Sequence, residues 1–121
     1  MTAQTDHPDP EAEWTPVCRH EKLPLDRGVT ALVRGHAIAV FRTEDDAVYA
    51  IGNHDPFSRA TVLGRGIVGV RDDVPFVAST EGRQAFDLRT GVCLDDPSVS
   101  VPSYAVRVVD GIVQVGPRSH P

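Results

Sequence analysis

Every apolar run in this chain is short, and each is closed within a few residues by a turn signal. No apolar stripe at i, i+3, i+4, i+7 lasts for three helical turns. A chain patterned in this way cannot bury a helix face and has to build its core from strands. The first run, Trp14 to Cys18, contains Pro16 and reads as an edge strand. Thr30 to Val33 and Ala37 to Arg42 flank Arg34-Gly35, and Ala47 to Ile51 follows the acidic turn Glu44-Asp45-Asp46. Gly66 to Val70 and Val74 to Ala78 flank Arg71-Asp72-Asp73, and Ala85 to Leu88 and Val92 to Leu94 flank Arg89-Thr90-Gly91. Tyr104 to Val109 and Ile112 to Val115 flank Asp110-Gly111, the strongest hairpin signal, because both residues tolerate positive φ. The pattern predicts one all-β domain, an antiparallel sandwich or barrel of about ten short strands.

The expected organisation is a flexible leader over residues 1–13, a domain over 14–116 and a short tail over 117–121. The leader holds Pro8, Pro10 and several acids without periodicity, and the tail opens on Pro117. The leader lacks the basic start and apolar middle of a secretory signal, so a cytoplasmic protein is expected. The longest stretch without a strand signal, Gly52 to Arg65, predicts a functional or interaction loop with a helical turn near Ser58 to Leu63.

With a net charge of −5 and basic residues scattered along the chain, a nucleic-acid partner is not expected. Cys18 and Cys93 read as reduced, small apolar residues. Among the histidines, His7 and His120 fall in the tails and His36 at a strand end. His54, beside Asp55, is the best candidate ligand, but one imidazole and one carboxylate do not complete a metal site. Cys18-Arg19-His20 spells half of a Rieske ligand set, yet Cys93 is followed by Leu94-Asp95-Asp96, so the second pair is missing. The acid pairs Asp45-Asp46, Asp72-Asp73 and Asp95-Asp96 sit in turns, and Gly64-Arg65-Gly66 is too short for a phosphate loop. No nucleophile motif is present.

The segments WTPVC, IAVFR, VYAIGNHDPFS, LGRGIVG, QAFDLRTGVCLDDP and YAVRVVDGIVQV, in this order, resemble the small subunit of assimilatory NAD(P)H-dependent nitrite reductase. Phe86-Asp87-Leu88 with Thr90-Gly91 is shared more widely with Rieske proteins. Aligned on that motif, the resemblance puts the Rieske ligand positions on Asn53 and Asp55 in one loop and on Ser79 and Gly82 in the other. It therefore implies a Rieske-like fold without catalytic residues, metal or cofactor of its own. It also implies a large partner subunit carrying FAD, an iron–sulfur cluster and sirohaem for six-electron reduction of nitrite to ammonia. Contacts to that partner are expected at His54, Asp55, Pro56, Phe57, Arg59 and Arg65. Two alternatives are a Rieske-type ferredoxin electron carrier and an independent binding module with a mononuclear metal at His54 and Asp55.

Overall fold

The computed structural model of the chain describes residues 13–61, 63–80 and 84–120, the last by its backbone alone. The expected leader therefore lies outside the described residues except for Glu13. Among the described residues, eleven strands form three antiparallel sheets. Six of them, β1 (Thr15–Arg19), β2 (Gly28–Val33), β3 (His36–Arg42), β4 (Val48–Gly52), β10 (Ser103–Val109) and β11 (Ile112–His120), make one sheet in the order β1-β11-β10-β4-β3-β2. Between β4 and β10 the chain inserts a two-residue hairpin, β5 (His54–Asp55) with β6 (Ala60–Thr61), and a three-stranded sheet. That sheet is β7 (Ile67–Arg71), β8 (Val74–Ala78) and β9 (Ala85–Asp87), in this order.

Local turn chemistry sets three of the hairpins. Arg34-Gly35, Asp72-Asp73 and Asp110-Gly111 each place two consecutive residues at positive φ, as a two-residue turn between right-twisted strands requires. Asp72-Asp73 does so without a glycine, which aspartate tolerates better than most residues. The outer strands of the large sheet, β1 and β2, are drawn towards each other by Arg34 from the β2–β3 turn. Its guanidinium donates to the carbonyls of Glu13 and Gly116, each at 2.7 Å, and to Thr15 Oγ1 at 3.2 Å.

The strand β3 reads IAVF rather than alternating because both of its faces are covered. Ile38 and Val40 join Leu23, Val33, Ala50, Val113 and Val115 inside the large sheet. Ala39 and Phe41 point the other way, into a core with Ile51, Leu63, Val77, Phe86, Leu88, Cys93 and Val101. This second core holds the small sheet against the large one. Gly28 makes the join possible: a Cβ there would stand 2.3 Å from the carbonyl oxygen of Gly64.

Three expectations are corrected. The last strand runs on to His120 instead of giving way to a tail at residue 117, because Tyr104 pairs with Arg118 and Ser103 with His120. Gly116 and Pro117 are accommodated by a register shift between Tyr104 and Val106, and Gly116 lies under the Trp14 ring. The stretch Val92 to Leu94 makes only isolated bridges, Phe86 with Cys93 and Val92 with Ser100. Finally, the helical turn expected near Ser58 to Leu63 is replaced by β6 and by a 3-10 turn over Leu63–Arg65.

Candidate functional site

The two loops onto which the sequence resemblance maps the Rieske ligand positions begin where β4 (Val48–Gly52) and β8 (Val74–Ala78) end. The first is shaped by Asn53 and Asp55, both buried. Asn53 receives the Gly64 amide on its side-chain oxygen at 2.6 Å. Its own backbone accepts from Leu63 and donates to the Ala37 carbonyl, each at 3.0 Å. One residue thus ties β3, β4 and the 3-10 turn together.

Asp55 is 0% exposed. Its Oδ1 accepts the Phe57 amide at 3.0 Å and its Oδ2 the Ser58 hydroxyl at 2.9 Å, which closes the β5–β6 turn with Arg59 at positive φ. The third donor is the hydroxyl of Ser79, buried in the second loop. Burial pushes the Asp55 carboxyl up, but the hydrogen bonds from Ser79, Phe57 and Ser58 outweigh it and hold it below the ordinary carboxylate range. Ionised Asp55 therefore clasps one loop to the other.

A two-iron centre of this type needs two thiolates and two imidazoles. Asn53, Asp55 and Ser79 offer an amide, a carboxylate and a hydroxyl, each occupied by protein partners. Gly82, the fourth position, carries no side-chain donor and lies outside the described residues. The thiols lie elsewhere: Cys18 is on β1 and Cys93 is buried in the core, both unpaired. His20, the third residue of the Cys18-Arg19-His20 run, sits 3.3 Å from Asp46 in a surface pair. These donors do not fit the cluster.

A mononuclear site at His54 and Asp55 also lacks geometry. The two are adjacent on β5, so their side chains take opposite faces, His54 exposed and Asp55 buried. Among the described residues no three His, Cys, Asp or Glu side chains gather as a metal would need.

The contact residues expected from the sequence do not form a single patch. His54 and Pro56 line a cleft of about 310 Å³ with His36, Pro102 and Tyr104, three residues that sequence reasoning did not connect to this loop. Arg65 lines a different cleft, of about 340 Å³, with Pro24 and Arg27. Phe57 is 38% exposed, and its ring is backed by Phe86 with centroids 6.1 Å apart. It is half plug and half surface. Asp55 is corrected from contact residue to internal strut, since its carboxylate is turned inward. Ser58 was missed as a site residue, although an Asp followed three positions later by Ser is a recognisable local hydrogen-bonding pattern.

A family model described as a Rieske-like [2Fe-2S] domain matches residues 13–116. The nitrite reductase (NADH) small subunit of Salmonella typhimurium is 39% identical over 105 residues, covering 86% of this chain and 97% of that one. A solved structure described as an NADH-dependent nitrite reductase small subunit, from Mycobacterium tuberculosis, is 48% identical and superposes with a TM-score of 0.83. It covers 86% of this chain and 94% of that chain. The nitrite reductase [NAD(P)H] large subunit of Klebsiella oxytoca is 35% identical over 116 residues, which is 96% of this chain but 12% of that protein. There a domain like this one is part of a longer polypeptide. The chain belongs to the Rieske-like [2Fe-2S] domain family and, within it, to the nitrite reductase (NADH) small subunits.

Proposed function

We propose that this chain is the accessory subunit of a cytoplasmic NAD(P)H-dependent nitrite reductase and works by protein contact, holding no cluster of its own. The large subunit carries the FAD, the iron–sulfur cluster and the sirohaem, and reduces nitrite to ammonia. The observation that carries this reading is the clasp between Asp55 and Ser79, because it fills the space between the two former ligand loops with protein hydrogen bonds. A pre-ordered surface is left outside it. Phe57, held from beneath by Phe86, supplies an aromatic anchor beside exposed His54, Pro56 and Arg59, with Arg65 on a separate cleft. The fused arrangement in the Klebsiella oxytoca large subunit supports an intimate association, since a domain of this kind is there covalently joined to its partner. None of the described residues belongs to a helix long and apolar enough to cross a membrane.

Co-expression of the two subunits, followed by size-exclusion chromatography and iron and sulfide assay of the small subunit alone, tests both halves. The expected result is co-elution, with a colourless small subunit free of stoichiometric iron. Phe57→Ala should weaken co-elution while leaving the fold intact. Stoichiometric iron and sulfide with an EPR signal in the reduced protein would make the chain an electron carrier instead.

A further inference from the structure

The outer strand of the small sheet, β7, carries a surface that the reading above leaves unused. Two of its exposed residues are apolar, Ile67 at 64% and Val70 at 69%, while the exposed Arg71 at its end is engaged by Asp95 and the Phe76 ring. Protein chains usually protect such an edge with a charge, a proline or a covering segment, because its free amides and carbonyls template another strand. The backbone direction follows from the neighbouring strands. Pro75 on β8 accepts the Leu88 amide at 2.9 Å, so its polar groups face β9. Its β7 partner is Val70, which therefore sits in a non-hydrogen-bonded pair and turns its N–H and C=O outward. With a period of two, Val68 does the same. No further strand pairs with this edge among the described residues.

Beside this edge lies a groove of about 660 Å³, between β7 and the turn that joins β3 to β4. Val68, Gly69 and Val70 form one wall, and Thr43, Glu44, Asp45 and Tyr49 line the other side. The lining carries four carboxylates, Asp26, Glu44, Asp45 and Asp73. Among the described lining residues the cation is Arg89, which is held by Asp87 through contacts of 3.0 and 3.1 Å. Asp45 stays ionised, since the Thr43 hydroxyl and the Ala47 amide bind its carboxylate and hold it below the ordinary range.

We propose that the open edge of β7 is a strand-addition site for an extended, arginine- or lysine-rich segment of the large subunit. The added strand would pair with the backbone of Val68 and Val70 and lay its cations against Asp26, Glu44, Asp45 and Asp73. Main-chain pairing supplies affinity and the carboxylates supply selection, as in other strand-addition complexes. A second copy of this chain is disfavoured as occupant, because pairing β7 with β7 would bring two acidic grooves together. The site shares no lining residue with the clefts that contain His54 or Arg65, so it is a second contact region.

This inference rests on the accessory-subunit reading for the identity of the partner, and the experiment separates the two. Affinity for the large subunit is measured at low and high salt for the full-length chain, for Val70→Pro and for the double variant Glu44→Lys, Asp73→Asn, the asparagine keeping a residue that tolerates the positive φ of that turn. Proline at position 70 removes an outward amide and no bond to β8, so thermal unfolding should move by only a few degrees. In a second arm, a strand peptide alternating Arg and Val, with a Glu-for-Arg control, is titrated into the isotopically labelled chain. The expected results are weakening of about tenfold by Val70→Pro, loss of salt dependence in the double variant, and shifts at the Val68 and Val70 amides with the Arg peptide only. Wild-type affinity in both variants, together with a silent peptide titration, would overturn the strand-addition site while leaving the accessory role standing. Peptide binding without any large-subunit binding would keep the groove and sink the role. A dimer of this chain that Val70→Pro dissociates would assign the edge to a second copy and overturn the proposal.

Discussion

Replacing Asp55 with Asn removes one charge and almost no volume from the centre of the loop clasp. The carboxylate accepts from the Phe57 amide, the Ser58 hydroxyl and the Ser79 hydroxyl, and it is fully buried. A hydrogen bond to an ionised acceptor is worth about 1 kcal/mol more than the neutral equivalent, so three of them amount to about 3 kcal/mol. Relief from burying a charge returns about 1–2 kcal/mol of that. The net expectation is a loss of about 1–2 kcal/mol at pH 7, or about 5–10 °C in Tm for a domain of this size. Because the folded Asp55 carboxyl lies below its ordinary value, its contribution is complete above the unfolded pKa of about 3.9. It is lost as pH falls through the lower folded value. The gap between wild type and Asp55→Asn, followed by circular dichroism on heating, should be constant from pH 7 to 5 and close below about pH 4. A variant as stable as wild type at pH 7 would refute the reasoning, as would a gap unchanged down to the lowest pH at which both fold.

Gly28→Ala places a Cβ against the carbonyl oxygen of Gly64, backbone against backbone, and should cost about 2–4 kcal/mol by urea unfolding. Arg34→Ala removes the three bonds that link the β2–β3 turn to β1 and β11. A loss of about 1–2 kcal/mol is expected, with faster amide exchange along β1 by NMR. A thiol reagent at neutral pH should react slowly with Cys18, whose thiol is pushed up by burial, and with Cys93 only on unfolding. Mass spectrometry of the labelled chain distinguishes the two sites.

The hairpins were legible because two-residue turns are decided by the residues in them: Arg34-Gly35, Asp72-Asp73 and Asp110-Gly111 all take positive φ where the pattern of runs places a turn. The Rieske-like assignment was legible for a related reason, since the ordered motifs span nearly the whole domain. The β5–β6 hairpin escaped notice because strands of two residues carry no periodicity. The end of β11 escaped notice because Gly116-Pro117 reads as a stop until Trp14 and a shifted β10 register are in place.

Asp55 marks the division most clearly. From composition and local order alone, the segment NHDPFS is a polar turn, and an aspartate in such a turn is expected to face water or a partner. What reverses that expectation is Ser79, distant in sequence and brought close only when the small sheet folds back. The open edge of β7 is decided in the same way. Its apolar residues are visible in the chain, but whether they are covered depends on which strands assemble beside them. Turn geometry and strand pattern are local properties, so the amino-acid order determines them directly. The direction of a carboxylate and the exposure of a strand edge depend on distant neighbours, and only the assembled fold supplies those.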